Sequence, residues 1–202
     1  PDEIIGARFG SPLVVGVGRL VPVKRFDRLI RAVVEARREA PDLRLELVGI
    51  GPEKAALQRL VEELDAEDAV TFAGRLSADE LVATYRRAWA VASTSEREGW
   101  GMTLTEAAAC GTPAIATRIP GHEDAVADGT SGVLVDDDAG MARELARLVN
   151  DPVRRAELQA GALAHASRFT WTATATAVME ALAEEAGVHV VYGLVGLKTH
   201  TK

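Results

Sequence analysis

The chain has 202 residues, 48% of them hydrophobic and 26% charged, with a net charge of −7. That is enough chain and apolar material for one core or two small ones. The acidic balance argues against a phosphate-tracking nucleic-acid binder, though not against a small nucleotide that needs only a few local cations. The single cysteine, Cys110, excludes an intrachain disulfide, fits a reducing compartment, and reads as a small core residue at an Ala-rich helix end. No stretch reads as a signal peptide or is long and apolar enough to cross a bilayer. Pro1 in place of an initiator Met suggests a processed chain or an excised piece of a longer one.

In chain order, apolar runs alternate with amphipathic helical stretches. Leu13–Val17 reads as a buried strand, and Phe26–Ala40 as a helix with Phe26, Leu29, Ile30, Val33 and Val34 on one face. Leu43–Val48 is a second strand and Glu53–Leu64 a second helix. Val70–Phe72 is a short strand, followed by a helix opened by the capping-box pair Ser77 and Glu80. Trp89–Ala92 and Ala114–Thr117 are strands on either side of a helix that Gly101–Thr103 open. Gly132–Val135 is the last strand. From Ala139 the pattern is helical: Met141–Asn150, Pro152–Ser167 with Pro at its start, and Trp171–Ala186. The units imply an α/β fold, a Rossmann-like parallel sheet of about six strands with helices on both faces, whose Gly-bearing loops after the strands are where such sheets bind ligands. Asp136-Asp137-Asp138 reads as a solvated helix N-terminus rather than a metal site.

The chemistry concentrates in three places. Glu98 and Glu106 are separated by seven residues, with Gly99, Gly101, Met102, Thr103 and Leu104 between them. If the second half is helical, its first backbone N–H groups form an anion site, with one carboxylate ahead of it and one more than a turn inside. A sugar–diphosphate–ribose has that layout. Apolar neighbours on both sides point to partial burial of Glu106. Gly18, Arg19 and Lys24 lie between the first strand and helix, where Gly permits a sharp turn and the two cations can reach the ligand edge of the sheet. Arg25 reads as a neighbouring exposed cation. Gly49-Ile50-Gly51-Pro52 and Gly74-Arg75-Leu76 follow the second and third strands. His122, in Pro120-Gly121-His122-Glu123-Asp124, reads as a surface histidine.

Glu98 to Glu106, followed by Gly111-Thr112-Pro113 and the strand Ala114–Thr117, resembles the paired-glutamate signature of retaining glycosyltransferases with the GT-B fold, particularly those of family 4. The resemblance covers about residues 11–186 and corresponds to the C-terminal, donor-binding half. It implies that Arg19 and Lys24 clamp a diphosphate and act with Glu98 as the catalytic residues, Glu98 touching hydroxyls of the transferred sugar. It implies that Glu106 accepts from both ribose hydroxyls, and that Gly101–Leu104 offer N–H groups to the phosphates and sugar. Gly18, Gly51, Gly99 and the backbone of Arg75 and Leu76 complete the donor site.

The expected donor is a UDP or GDP sugar. No metal and no separate cofactor is expected. An absent N-terminal domain supplies the acceptor pocket, and the helix from Trp171 packs back toward it. A cytoplasmic location is implied, with peripheral membrane association of the longer enzyme left open. The alternatives are a non-catalytic nucleotide-binding module, a sugar-nucleotide 2-epimerase, or a flavodoxin-like domain of unrelated function. Residues 1–186 form the expected domain. The tail 187–202 is foreign to the family pattern and resembles a short segment of polyphosphate kinase, with His200 and Lys202 in its His-x-Lys pair.

Overall fold

The computed structural model describes residues 10–185. The expected 1–186 region falls into two units that divide after Ser167, and the 187–202 tail, with His200 and Lys202, lies outside the described residues. Of the second unit the structure describes a helix over Trp171–Glu185, whose first turn is capped by the Thr170 hydroxyl accepting from the Ala173 N–H at 3.1 Å.

The first unit carries six parallel strands: β1 (Leu13–Val17), β2 (Arg44–Val48), β3 (Val70–Gly74), β4 (Ala90–Ser93), β5 (Ala114–Thr117) and β6 (Gly132–Val135). Their order is β3-β2-β1-β4-β5-β6. The chain winds outward from β1 to β3, then returns to place β4 on the free side of β1, in register Val14↔Ala90 and Val15↔Val91. The helices are α1 (Phe26–Ala36), α2 (Lys54–Glu63), α3 (Ala78–Arg87), α4 (Met102–Ala109), α5 (Pro120–Ala125), α6 (Asp138–Asn150) and α7 (Pro152–Ala166).

Alternation along the strands assigns the faces. Val14, Leu45, Leu47, Ala90, Ala92 and Ile115 pack into one core with α1, α2 and α6. Val15, Val91, Ala114, Ala116 and Leu134 pack into a second core with Tyr85 of α3 and with Leu104 and Ala107 of α4, and Cys110 is buried there as expected. A parallel sheet covered on both sides is the arrangement that such unbroken apolar strands require.

Several boundaries differ from the sequence reading. The regular first helix ends at Ala36 rather than Ala40: residues 37–39 continue as turns, the Arg38 and Glu39 N–H groups donating to carbonyls three residues back, and Pro41 disfavours helical geometry at Ala40. The Arg37 guanidinium then holds the Pro41 carbonyl (3.0 Å) and the Asp68 carboxylate (2.7 and 3.0 Å). α6 starts at Asp138, ahead of Met141, since the Asp137 carboxylate caps it by accepting from the Gly140 N–H at 2.6 Å. Asp136, Asp137 and Asp138 are exposed, and among the described residues there is no cluster of metal-ligating side chains. The capping box at α3 forms as expected, Ser77 and Glu80 satisfying each other's backbone N–H groups.

Gly161, inside α7, faces the Thr130 carbonyl so closely that a β-carbon there would lie 2.0 Å from its oxygen. Gly→Ala in an exposed helix gains about 1 kcal/mol. Here overpacking costs about 1–3 kcal/mol and outweighs it. Gly161→Ala should lower the urea midpoint of unfolding, and a raised midpoint would show that the loop yields freely.

Candidate functional site

Two loops meet where β1 and β4 end side by side. From β1 the chain runs through Gly18, Arg19, Leu20 and Val21 into a 3-10 turn, Pro22–Lys24, and then through Arg25 into α1. From β4 it runs through Thr94–Trp100 to Gly101, the N-cap of α4. Backbone and side chains staple the loops together. Thr94 Oγ1 donates to the Arg25 carbonyl at 2.7 Å, and the Glu96 N–H donates to the Val23 carbonyl at 3.0 Å. Arg25 Nη1 donates to Glu96 at 2.5 Å, while its other nitrogens grip both oxygens of Asp27 at 3.0 Å. Arg25 is therefore not the exposed bystander expected from sequence. It is half-buried, takes a left-handed conformation (φ 49°) and forms the N-cap of α1. Its role escapes sequence reading because Glu96, the partner through which it ties the two loops together, is 71 residues away.

The staple brings Lys24 and Glu98 into a direct ion pair, with side-chain exposures of only 20% and 16%. Ser95 Oγ donates to the same carboxylate oxygen, Glu98 Oε1, at 2.7 Å. Burial pushes the Glu98 pKa up, but the hydrogen bonds from Lys24 and Ser95 and the Lys24 charge outweigh it, so the carboxyl lies below its ordinary value. The Lys24 chain lies along Gly18, where a β-carbon would touch Lys24 Cε at 3.4 Å.

Gly18 and Arg19 also line a cavity of about 410 Å³ with Val17, Val48, Gly49, Ile50, Arg75 and Leu76, at the carboxyl ends of β1, β2 and β3. Four expected donor-site residues thus share one cavity: Gly18, Arg19, Arg75 and Leu76. Gly51 is not in its lining. A β-carbon on Gly51 would lie 2.2 Å from the Leu20 carbonyl oxygen, and one on Gly49 would lie 1.8 Å from that of Gly18. The glycines of this turn are needed where two strand-end loops touch backbone to backbone, in contacts sealed by Gly18 N–H to Val48 O and Leu20 N–H to Ile50 O, both 3.0 Å.

Gly101, at φ 74°, makes the left-handed turn that a side chain would resist, and α4 begins behind it. The first N–H groups of α4 have no acceptor within the helix. The Leu104 N–H is different: it donates to Gly101 O at 2.9 Å, and its side chain is buried. Gly99 is exposed, Met102 is 66% exposed and Thr103 is half-buried.

Glu106 is exposed rather than partly buried. The apolar neighbours that suggested burial, Ala107 and Ala108, lie on the opposite, core-facing side of α4. Its carboxylate still has a fixed partner, the hydroxyl of the buried Tyr85 at 3.2 Å. Thr112 Oγ1 holds the Tyr85 carbonyl at 2.6 Å. Burial and the Glu106 charge push the Tyr85 phenol far above its ordinary range, so it donates at any ordinary pH. Glu98 and Glu106 do not line the 410 Å³ cavity. His122 is also corrected: it is completely buried, with Nδ1 2.7 Å from the Thr117 carbonyl and Nε2 3.2 Å from Ser93 Oγ. Burial holds its pKa below the ordinary histidine value, against the Thr117 hydrogen bond and the Glu98 charge.

A doubly wound sheet with a cation-lined cavity and a charged, glycine-rich crevice at its strand-order reversal defines a Rossmann-like ligand-binding domain. The family described as "Glycosyl transferases group 1" matches residues 3–165, and the chain belongs to that family. It is 42% identical over 192 residues to a D-inositol 3-phosphate glycosyltransferase of Stackebrandtia nassauensis, covering 87% of this chain and 43% of that protein. It is 41% identical over 197 residues to the protein of that name from Acidothermus cellulolyticus, covering 88% and 44%. The chain thus spans under half the length of these curated relatives. Among solved structures, HepE of Anabaena in complex with UDP matches at 26% identity with a TM-score of 0.77, covering 91% of this chain and 53% of that one. Sucrose-phosphate synthase of Thermosynechococcus elongatus matches at 28% identity and 0.76, covering 88% and 46%. The fold is that of the C-terminal half of GT-B glycosyltransferases.

The lowered Glu98 pKa carries a sign. Ionised Glu98 stabilises the fold above its ordinary value of 4.5, and that contribution is lost as pH falls through the lower folded value. The wild-type chain should therefore lose more stability to acid, between about pH 6 and pH 3, than Glu98→Gln does. Equal losses in denaturant titrations at the two pH values would show that the ion pair contributes nothing.

Proposed function

We propose that this chain is the donor-binding half of a retaining, family-4 type glycosyltransferase, holding a nucleoside-diphosphate sugar whose sugar passes to an acceptor bound mainly by an N-terminal domain. The observation that carries this reading is the Lys24–Glu98 pair, fixed at the β1/β4 crevice beside the cavity of Arg19 and Arg75. The nucleoside occupies the cavity, and the backbone of Arg75 and Leu76 reads the base edge. The diphosphate lies across the mouth of the crevice, reached by Arg19, Lys24 and the first N–H groups of α4. The sugar hydroxyls meet Glu98, and the ribose hydroxyls meet Glu106.

The chemistry follows from charge. Breaking the bond from sugar to phosphate leaves a nucleoside diphosphate with an added negative charge. Arg19 and Lys24 hold that charge more tightly in the transition state than in the ground state. Glu98 keeps Lys24 oriented before the donor arrives. The acceptor hydroxyl attacks from the side of the departing phosphate, and that phosphate helps to remove its proton, giving retention without a protein nucleophile. No metal ion or separate cofactor takes part in this scheme.

The HepE match with UDP supports UDP over GDP as the nucleotide. The acceptor belongs to the N-terminal domain, and the inositol phosphate in the relatives' name describes those proteins. No described helix is long and apolar enough to cross a membrane. A cytoplasmic site of action, with the longer enzyme free to associate peripherally with a membrane, fits the reading. Residues 187–202 take no part in it.

Calorimetry of the chain against UDP, GDP and ADP, without and then with magnesium, tests the proposal. Metal-independent, saturable binding of UDP is expected, and no binding to any of the three sinks it for this chain. Arg19→Ala should weaken UDP binding much more than uridine binding, whereas equal losses would remove Arg19 from the phosphate site. Glu106→Ala should weaken UDP binding by about 1–3 kcal/mol, the worth of hydrogen bonds to a charged acceptor. Tyr85→Phe should lose part of the same affinity without unfolding the chain. Unchanged affinity in both variants would take ribose recognition away from Glu106.

A further inference from the structure

One buried polar group has no part in the scheme above. His122 sits in the first turn of α5 with no exposed surface, yet it touches both ends of the loop that carries Glu98. At the β4 end, its Nε2 is 3.2 Å from Ser93 Oγ. At the α4 end, its Cδ2 lies against the N-cap, 3.2 Å from where a β-carbon on Gly101 would sit. Its neighbour Gly121 supports the middle of the loop, where a β-carbon would fall 2.3 Å from the Glu98 carbonyl oxygen and 3.1 Å from Glu98 Cβ. Two serines of the loop lie between the imidazole and the carboxylate: Ser93 Oγ is 3.2 Å from Ser95 Oγ, and Ser95 Oγ donates to Glu98 Oε1 at 2.7 Å.

The hydrogen positions follow from the partners. The Thr117 carbonyl, 2.7 Å from Nδ1, can only accept, so Nδ1 carries the proton and neutral His122 offers Nε2 to the Ser93 hydroxyl. Ser93 then gives its one proton to Nε2 and Ser95 gives its own to Glu98, so the two serine oxygens meet by packing, and His122 acts on Glu98 through the shape of the loop. Thr117 anchors one side of the ring to β5, and the other side is free to order the loop.

We propose that Gly121 and His122 form a positioning element for the donor site: they mould the loop from Ser93 to Gly101 and so set Glu98, which decides how firmly the sugar of the donor is held. The inference rests on the donor-binding reading and adds to it the residues that fix sugar recognition from behind.

The test separates sugar binding from nucleotide binding, using the whole 202-residue chain with UDP and UDP-glucose as probes. Asn at position 122 places its amide near the Nδ1 position and keeps the Thr117 anchor. Gln reaches the Nε2 position and can keep the Ser93 link. His122→Asn should weaken UDP-glucose binding about tenfold while UDP affinity holds, the scale of one lost hydrogen bond. His122→Gln should restore most of the loss. Gly121→Ala, which drives a methyl into the Glu98 peptide, should behave like His122→Asn. Parallel losses for UDP and UDP-glucose, or no difference between the Asn and Gln variants, would overturn the proposal. A ligand-free measurement guards against variants that fail to fold: in ¹H–¹⁵N spectra of the folded chain, His122→Asn should shift the Glu98 backbone amide resonance, and an unmoved resonance would overturn the positioning role. If the wild type binds neither UDP nor UDP-glucose, the donor reading itself falls and this proposal falls with it. If it binds both and the variants change nothing, only the positioning role is lost.

Discussion

Everything at the site depends on β4 pairing with β1. Parallel strands joined by helical crossovers send their following loops out at the same edge. At the one place where the winding reverses, the neighbouring helices leave toward opposite faces and a crevice opens between them. Here that reversal sets the loop after Val17 beside the loop after Ser93. The other features are local responses to this meeting. Arg25 adopts a left-handed backbone so that its guanidinium can tie Asp27 to Glu96, and Lys24 follows into reach of Glu98. Had β4 paired at the far edge of β3, the same residues would be ordinary surface charges.

The Lys24–Glu98 pair is weak evidence for stability and better evidence for function. An exposed ion pair contributes about 0–1 kcal/mol. Taking two charges out of water costs several kcal/mol per ion unless other hydrogen bonds complete the site, and a packed apolar pair is often as stable. With four-fifths of each side chain covered, this pair stands near the second case and keeps only Ser95 as an added donor to the carboxylate. A carboxylate held this way retains lone pairs for hydroxyl donors, and the ammonium retains protons for phosphate oxygens. Both are then oriented before a ligand arrives, which is the condition for electrostatic stabilisation without reorganisation.

What the sequence discloses and what it withholds divide along a physical line. The strands were legible because a sheet covered on both faces needs unbroken apolar runs, and α3 because Ser77 and Glu80 act on each other within one turn. Lys24 and Glu98 could be singled out because residue type, spacing and neighbouring glycines all lay within short segments. Tyr85, Arg25 and His122 were hidden or misread because one defining partner of each, Glu106, Glu96 and Ser93, lies 21, 71 and 29 residues away, and only packing brings them together. Glu106 was misplaced by a local rule used too simply. Apolar neighbours in sequence are not neighbours on a helix face, since adjacent residues point about 100° apart. α5, six residues long, is too short for any period to emerge, though Pro120 at its first position was a usable sign.

The alanines around α4 carry a further consequence. Ala107 packs in the core that holds Ala114 and Ala116 of β5, on the face of the sheet opposite Ala90 and Ala92, and all of these are buried. Side chains without rotamers lose no conformational freedom on packing and have none to recover, so these alanine contacts cannot adjust by repacking. The helix is set against the sheet like a wedge, and the position of its first turn is inherited from the backbone alone. Change at this edge of the sheet then falls to the exposed loop residues before the helix, such as Gly99 and Trp100, which can vary while the scaffold beneath stays fixed.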